Sequence, residues 1–321
     1  MLQIFRAHCV LLLLATSASA GSWAAPALVF AGAGEAGGIL GGDDEYVRAT
    51  RPLERMAKLR RAQPVDAGEY RRHMAAQARD WTEDERRRLA PLNARLARFL
   101  DTLKLRMPER ILLVKAGTQL MDGAPHTRAN AIVLPESFLA SAQPEDLVYI
   151  MGHELFHVLS RHDGQAREEL YAAIGFRRCE RADLPETVER LRITNPDAPQ
   201  DRHTIRVRYR GQPVEAMPVL LLRSAQPDPA RGFIGNSRSP WLIMERRDGA
   251  CRGTAQRAQA GELEGLLEQI GRNTEYLIHP EEILADNFAV LVVAFVGGTS
   301  GPPASPEVLE RMRRILFLPR E

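Results

Sequence analysis

Apolar residues set the first recognisable rhythm in this chain. Leu89, Leu92, Leu96, Phe99, Leu100 and Leu103 recur three or four positions apart, the spacing of one helical face. Thr82-Glu83-Asp84-Glu85 precedes them as a capping-box pattern, so a helix is predicted to begin there. Pro91 should kink it or mark a break near its start. The whole stretch 51–104 reads as helical hairpins rich in Arg, Ala and Leu, with charged faces turned to solvent. Two short apolar runs follow, at 111–115 and 131–135, and both predict strands, the second stopped by Pro135. Between them, residues 121–130 read as a turn-rich loop with Gly123 and Pro125. Gln143-Pro144-Glu145-Asp146 places a proline and two carboxylates in a first turn, where a helix tolerates the one and its dipole favours the other. The helix opened there should run to Arg161 or His162.

Another short helix is expected over 167–176, followed by a polar, proline-containing stretch to residue 200. From His203 the period changes to two. Ile205, Val207 and Tyr209 alternate with Arg206, Arg208 and Arg210, as in a half-exposed strand. A turn at 211–213, a strand at 218–223, a strand at 241–245 and an Asp248-Gly249 turn complete a β-rich insertion over about 200–255. Helix returns over 262–272 and again over 280–296, where Gly297-Gly298 stops it. That helix is too short and too acidic at its start to cross a membrane. Ser305-Pro306-Glu307 opens a last short helix. The expected fold class is α+β: one mainly helical domain over 51–321, with a small β-sheet and the β-rich insertion.

The N-terminus carries a different pattern. Arg6 and His8 precede a short apolar run at 9–15, and Ala18-Ser19-Ala20 has the form of a cleavage site. Residues 1–20 therefore read as a signal peptide, which predicts a periplasmic or secreted protein. A second cut near residues 24–27 is also compatible with the sequence. Residues 21–50 are Gly- and Ala-rich and are expected to be a flexible segment. Within them Gly32-Ala33-Gly34-Glu35-Ala36-Gly37 matches the dinucleotide fingerprint G-x-G-x-x-G. The fingerprint needs a strand, a helix and a βαβ unit around it. Gly38 to Gly42 is a poor continuation of a helix, so no nucleotide is expected.

Composition adds little and excludes some partners. Of 321 residues, 45% are hydrophobic and 26% charged, ordinary globular values. Lys+Arg number 43 and Asp+Glu 41, for a net charge of +2. No basic block is long or aromatic-interleaved enough to suggest nucleic acid. Removal of the signal would take Cys9 and leave Cys179 and Cys251. In an oxidising compartment such a pair favours a disulfide over two buried thiols.

The chemistry is concentrated in His153-Glu154-Leu155-Phe156-His157. Histidines at i and i+4 lie on one helical face, about one turn apart, where two imidazoles can bind one zinc ion. Glu154 then lies beside the metal, placed to take a proton from water. On an ordinary amphipathic helix the same five residues would be a chance match. Downstream, Glu282 and Asp286 are also four apart, and their face continues through Ala289, Val290 and Val293. Like charges at that spacing repel by roughly 0.2–0.5 kcal/mol, and burying an unpaired carboxylate costs several kcal/mol more. A cation nearby removes the difficulty. The helix dipole accounts for Glu281 and Glu282 but poorly for Asp286.

The joint pattern of His153-Glu154-x-x-His157 and Glu282-x-x-Ala285-Asp286 resembles the gluzincin zinc metallopeptidases. It is closest to the HtpX-like and CAAX-prenyl-protease-like branch and its soluble exported relatives. The likeness covers roughly 110–165 and 275–296. It implies a zincin-like fold, Zn2+ as cofactor, and His153, His157 and Glu282 as metal ligands. It also implies Glu154 as general base and Asp286 as the acceptor that orients one ligand histidine. Glu281 is a second candidate ligand without an i+4 partner. The strand at 131–134 resembles the edge on which such enzymes lay an extended peptide. Many relatives carry membrane helices, whereas none is expected here after the signal. The β-rich insertion has no counterpart in that branch, and the residue that would stabilise the oxyanion is unassigned. Tyr276, His279 and His203 are candidates by residue type only.

The expected function is zinc-dependent peptide-bond hydrolysis in the cell envelope, acting on a protein or peptide. The alternative is a metal-binding but non-proteolytic zincin serving as a binding or envelope-assembly module. A zinc hydrolase of a non-peptide amide is a third reading that sequence does not separate from the first.

Overall fold

The computed structural model describes residues 26–298 and 301–319; the expected signal peptide and Cys9 lie outside them. The site rests on a five-stranded sheet. Ala27–Phe30, Arg110–Ala116 and Ala131–Pro135 run parallel, side by side in that order, and His126–Arg128 closes the sheet antiparallel to Ala131–Pro135. Ala78–Arg79 pairs with the far end of Arg110–Ala116. Residues 111–116 and 131–135 are buried throughout. Such unbroken apolar runs are what a parallel strand covered on both faces requires. Ala131–Pro135 is therefore an interior strand, and the expectation that it forms the peptide-binding edge is corrected: the outer strand is His126–Arg128.

Residues 26–50, expected to be a flexible segment, instead form the strand Ala27–Phe30 and the helices Ala33–Leu40 and Glu45–Ala49. Ala31, Ala36 and Leu40 are fully buried among Tyr46, Tyr70, Met74, Val114 and Val133. The local glycine content suggested a linker; pairing with residues 110–113, far along the chain, decides otherwise. The fingerprint Gly32–Gly37 thus does sit at a strand-to-helix turn. Its helix N-terminus is already occupied, because the Ala33 N–H donates to the Asp80 carboxylate at 2.8 Å. A carboxylate holds the place a pyrophosphate would need.

Two helices carry the candidate site: Pro144–His162, the motif helix, and Pro280–Val296. Both have the expected bounds. The motif helix opens with Gln143 N–H donating to Asp146 at 2.9 Å. The second ends at Gly297 with φ 80°, the left-handed conformation glycine adopts at low cost. Gly152 lets the two helices touch. A Cβ there would lie 3.1 Å from the Ala289 Cα and 3.0 Å from the Val292 Cβ. Helix Glu83–Leu100 continues through Pro91 and packs Phe99 edge-on against Phe288, with ring centroids 5.4 Å apart. Its capping box is formed, with Glu85 N–H donating to Thr82 Oγ1 at 3.2 Å and Thr82 N–H to Glu85 Oε2 at 2.8 Å.

The fold is α+β, but its β content exceeds the small sheet plus insertion expected from sequence. A second sheet has seven strands. It draws in Phe176–Arg178, Ala182–Asp183 and Leu263–Glu264 beside the hairpins of residues 203–258. The β-rich part therefore spans about 176–264 rather than 200–255. It shares the main core, since Phe176, Ile205, Val207, Tyr209 and Trp241 join the cluster containing Met151 and Phe288. The expected turn at 211–213 lies instead at Arg210 and Gly211, with φ of 52° and 75°, a two-residue hairpin between His203–Tyr209 and Gln212–Pro218. The Asp248-Gly249 hairpin turn is where expected. Helix over 262–272 shortens to Leu266–Ile270. Cys179 and Cys251 are joined in a disulfide, with Cα atoms 5.7 Å apart. Among the described residues, no helix is long and apolar enough to cross a membrane.

Candidate metal centre

The motif helix presents His153 and His157 one turn apart, and the close approach at Gly152 brings Pro280–Val296 against them. His153, His157 and Glu282 converge, with one donor atom from each lying within 4.8 Å of the others. The His153 Nε2 is 3.1 Å from Glu282 Oε2, and the His157 Nε2 is 3.6 Å from the same oxygen. The second distance is too long for a hydrogen bond, so a fully buried ring nitrogen is left without a partner. Buried polar atoms normally find one.

The opposite edge of each ring is held. His153 Nδ1 donates to Asp286 Oδ1 at 2.8 Å, and His157 Nδ1 donates to Glu281 Oε1 at 3.0 Å. A carboxylate on Nδ1 fixes the tautomer and turns Nε2 toward the shared centre. Asp286 is in turn bonded by Thr274 and Tyr149. Glu281 receives the Ser160 hydroxyl and, at 2.5 Å, the Tyr171 hydroxyl. Sequence assigned the role of Asp286 but left Glu281 as a weak candidate ligand; it is the orienting carboxylate of the other histidine. Its position beside Glu282, in the first turn of an apolar helix, was the available signal. Nothing in the sequence pointed to Ser160, Tyr171, Thr274 or Tyr149.

The electrostatics follow from burial. Burial alone would lower the His153 pKa, yet the hydrogen bonds to Asp286 and Glu282 outweigh it and push it up to about 10. His157 is likewise driven up, against its burial, by the Glu282 and Asp197 carboxylates and Glu281. Burial would raise the Glu282 pKa, but the two imidazoles hold it well below the usual carboxylate range. These carboxylates thus demand positive charge. A divalent cation meets that need with both rings neutral. Two imidazole nitrogens and one carboxylate oxygen, all buried and convergent, form a donor set that could hold a divalent metal ion.

Glu154 lies beside this centre and is only 3% exposed. Its Oε2 has no hydrogen-bond partner. Burial, helped by the nearby Asp197, raises its pKa to about 8. Of the residues proposed by type for the oxyanion, one reaches the site. The Tyr276 ring centroid is 6.4 Å from that of His153. Tyr276 is 46% exposed; partial burial of its phenol, with the nearby Glu282, Asp197, Glu154 and Asp286 carboxylates, pushes its pKa up. His279 instead caps Pro280–Val296, accepting the Glu281 N–H at 3.1 Å. His203 bonds Glu168 at 2.9 Å and packs edge-on against Tyr171. Two residues with no role in the sequence reading also reach the site. Asn195 Nδ2 donates to Glu282 Oε1 at 2.5 Å, and Asp197 groups with Glu154 and His157, their donor atoms within 4.8 Å of one another.

No family model matches the chain, and no curated protein or solved structure matches it.

Proposed function

We propose that this protein is a zincin-like, zinc-dependent peptidase of the gluzincin type, acting on protein or peptide substrates outside the cytoplasm. The observation that carries the reading is the convergence of His153, His157 and Glu282 with a carboxylate behind each ring and an unpartnered Glu154 carboxylate alongside. A purely structural metal site closes its coordination with protein donors and needs no base.

His153, His157 and Glu282 would hold the ion, and Asp286 and Glu281 would orient the two rings toward it. When bound, zinc would supply Lewis acidity toward the scissile carbonyl and acidify water. Glu154, with its pKa near 8 and one free oxygen, is suited to take a proton from water and return it to the leaving amine. Tyr276, whose ring lies beside that of His153, would be the donor to a developing oxyanion. The outer strand His126–Arg128 is buried and its Thr127 N–H already donates to Asp197, so an extended peptide would have to displace that contact to add there. The disulfide and the apolar signal-like N-terminus agree with export.

A second reading has one observation behind it: the candidate centre is almost closed, with His157 0% and Glu282 2% exposed. That suits a metal-binding but non-proteolytic module. Zinc analysis of the purified chain, combined with cleavage of casein and a peptide library, separates the two. One zinc with cleavage supports the peptidase. One zinc with no cleavage under any condition supports the module.

A further inference from the structure

A cavity of about 710 Å³ opens beside the candidate centre, walled largely by the β-rich part of the chain. Tyr276 belongs to both places: it lines the cavity, and its ring centroid lies 6.4 Å from that of His153. The other apolar lining residues are Leu220, Phe233, Ile234, Pro240 and Ile278. Phe233 is buried, whereas Ile234 is 55% exposed. Of the four exposed large hydrophobic residues among the described residues, Ile234 and Tyr276 both face this one cavity, and such clustering on a concave surface marks a binding site. Two cations, Arg223 and Arg238, also line it, and none of the described lining residues is acidic. Neither guanidinium meets a carboxylate among the described residues.

The lining is pinned by hydrogen bonds. Asp122 accepts the Ile234 N–H at 2.8 Å and the Arg60 guanidinium at the same distance. The buried Asn236 side chain donates to the Gly232 and Asp228 carbonyls at 2.5 and 2.7 Å. Both arginines belong to one antiparallel ribbon, in which Leu221 pairs with Arg238 and Leu222 with Ser237. The Arg223 N–H continues it, donating to the Asn236 carbonyl at 2.8 Å. The ribbon is tied in turn to the segment that reaches the centre. The Ile193 N–H donates to the Leu220 carbonyl and the Leu222 N–H to the Leu191 carbonyl, each at 2.8 Å. Asn195, two residues beyond Ile193, donates to Glu282. Backbone contacts thus fix the cavity beside Glu282 and His153, while its two guanidiniums stay unpaired. A pocket formed in advance loses little freedom on binding.

We propose that this cavity is a substrate subsite for a peptide residue with a large apolar side chain and a carboxylate next to it, supplied by an acidic residue or by a free C-terminus. The inference rests on the zinc-peptidase reading of the neighbouring centre and deepens it by naming a substrate class. The apolar side chain would fill the space between Phe233, Ile234 and Tyr276. The carboxylate would meet Arg223 and Arg238, whose planar forks match its two oxygens. The concave shape suits a side chain better than a flat membrane surface. Residues 220–240 lie in the β-rich part that has no counterpart in the gluzincin pattern, so the preference belongs to this chain in particular.

The test is fluorescence anisotropy of short labelled peptides on the full mature chain in zinc-containing buffer, with Glu154→Gln as the background so that binding is read without turnover. The probes are alanine-based peptides with an internal Phe-Glu, Phe-Lys or Ala-Glu pair and an amidated end, and one that ends in Phe with a free carboxylate. Both arginines are exposed, so Arg223→Glu and Arg238→Glu leave the core intact. The Phe-Glu or the free-carboxylate probe is expected to bind tightest, and the one that does names the source of the carboxylate. Each reversal should weaken that probe about five-fold and strengthen the Phe-Lys probe, a gain that a damaged fold does not produce. Equal affinity for all four probes, with no response to either reversal, would overturn the proposal. So would arginine-dependent binding to phosphatidylglycerol vesicles with no peptide preference, which would make the rim a membrane contact. Arginine-dependent peptide binding with no cleavage by the chain that retains Glu154 keeps the subsite and removes the peptidase reading. Cleavage without the peptide preference keeps the peptidase reading and removes the subsite.

Discussion

Glu281 Oε1 lies 3.0 Å from His157 Nδ1, the counterpart of the 2.8 Å contact between Asp286 and His153. Two carboxylates from one helix thus set the orientation of two histidines from another. Glu281→Gln and Asp286→Asn should each weaken zinc binding roughly 10–100-fold, measured by competition with a chromophoric chelator. The Glu281 change should also cost about 1–3 kcal/mol in folding stability, because Glu281 is 1% exposed and serves Ser160 and Tyr171 as well. Equal zinc affinity in wild type and both variants would show that the rings are oriented by something else.

Gly152 tests the helix contact behind the site. Alanine there would place a methyl 3.1 Å from the backbone of Ala289, and backbone yields less readily than a flexible side chain. Overpacking of this kind costs roughly 1–3 kcal/mol. Gly152→Ala is expected to lower the denaturation midpoint and to weaken zinc binding, since separating the helices moves both histidines from Glu282. A variant as stable as wild type with unchanged zinc affinity would mean that the contact relaxes freely.

His126 gives the chain a pH dependence of its own. Burial, reinforced by Arg128 and Lys58 and opposed by Asp197, lowers its pKa from 6.5 to about 4. A base whose folded pKa is depressed stabilises the fold above its unfolded value. That contribution is lost as pH falls from 6.5 toward 4, because the unfolded chain binds the extra proton first. At pH 5 the loss should be about 2 kcal/mol relative to pH 7.5. Denaturant titrations at the two pH values should show a smaller difference in His126→Gln than in wild type. Equal differences would remove His126 as the cause.

Much of the candidate site was legible in sequence because it lies on two periodic helices. The helical period alone puts His153 with His157 and Glu282 with Asp286, and the apolar neighbours of the carboxylates show that their face is buried. The irregular segment carrying Asn195 and Asp197 was not legible. Asn195 and Asp197 sit in a polar stretch without period, and their partners are 87 and 70 residues away. The edge strand was misplaced because Ala131–Pro135 is the more apolar run. In a covered parallel sheet, though, the apolar run is the interior strand. His126–Arg128 gave no strand signal. The N-terminal segment misled for a related reason. Its glycines favour a coil locally, but Ala31, Ala36 and Leu40 gain a core that only the completed fold provides.

The central claim, that this is a hydrolytic zinc centre served by Glu154, is tested most directly by Glu154→Gln. Zinc content and peptide-library cleavage are measured side by side with the wild-type chain. The account predicts about one zinc per chain in both, cleavage by the wild type, and a loss of activity on the order of 10²–10⁴-fold in the variant. Undiminished cleavage by Glu154→Gln, or a wild-type chain without zinc, would contradict it.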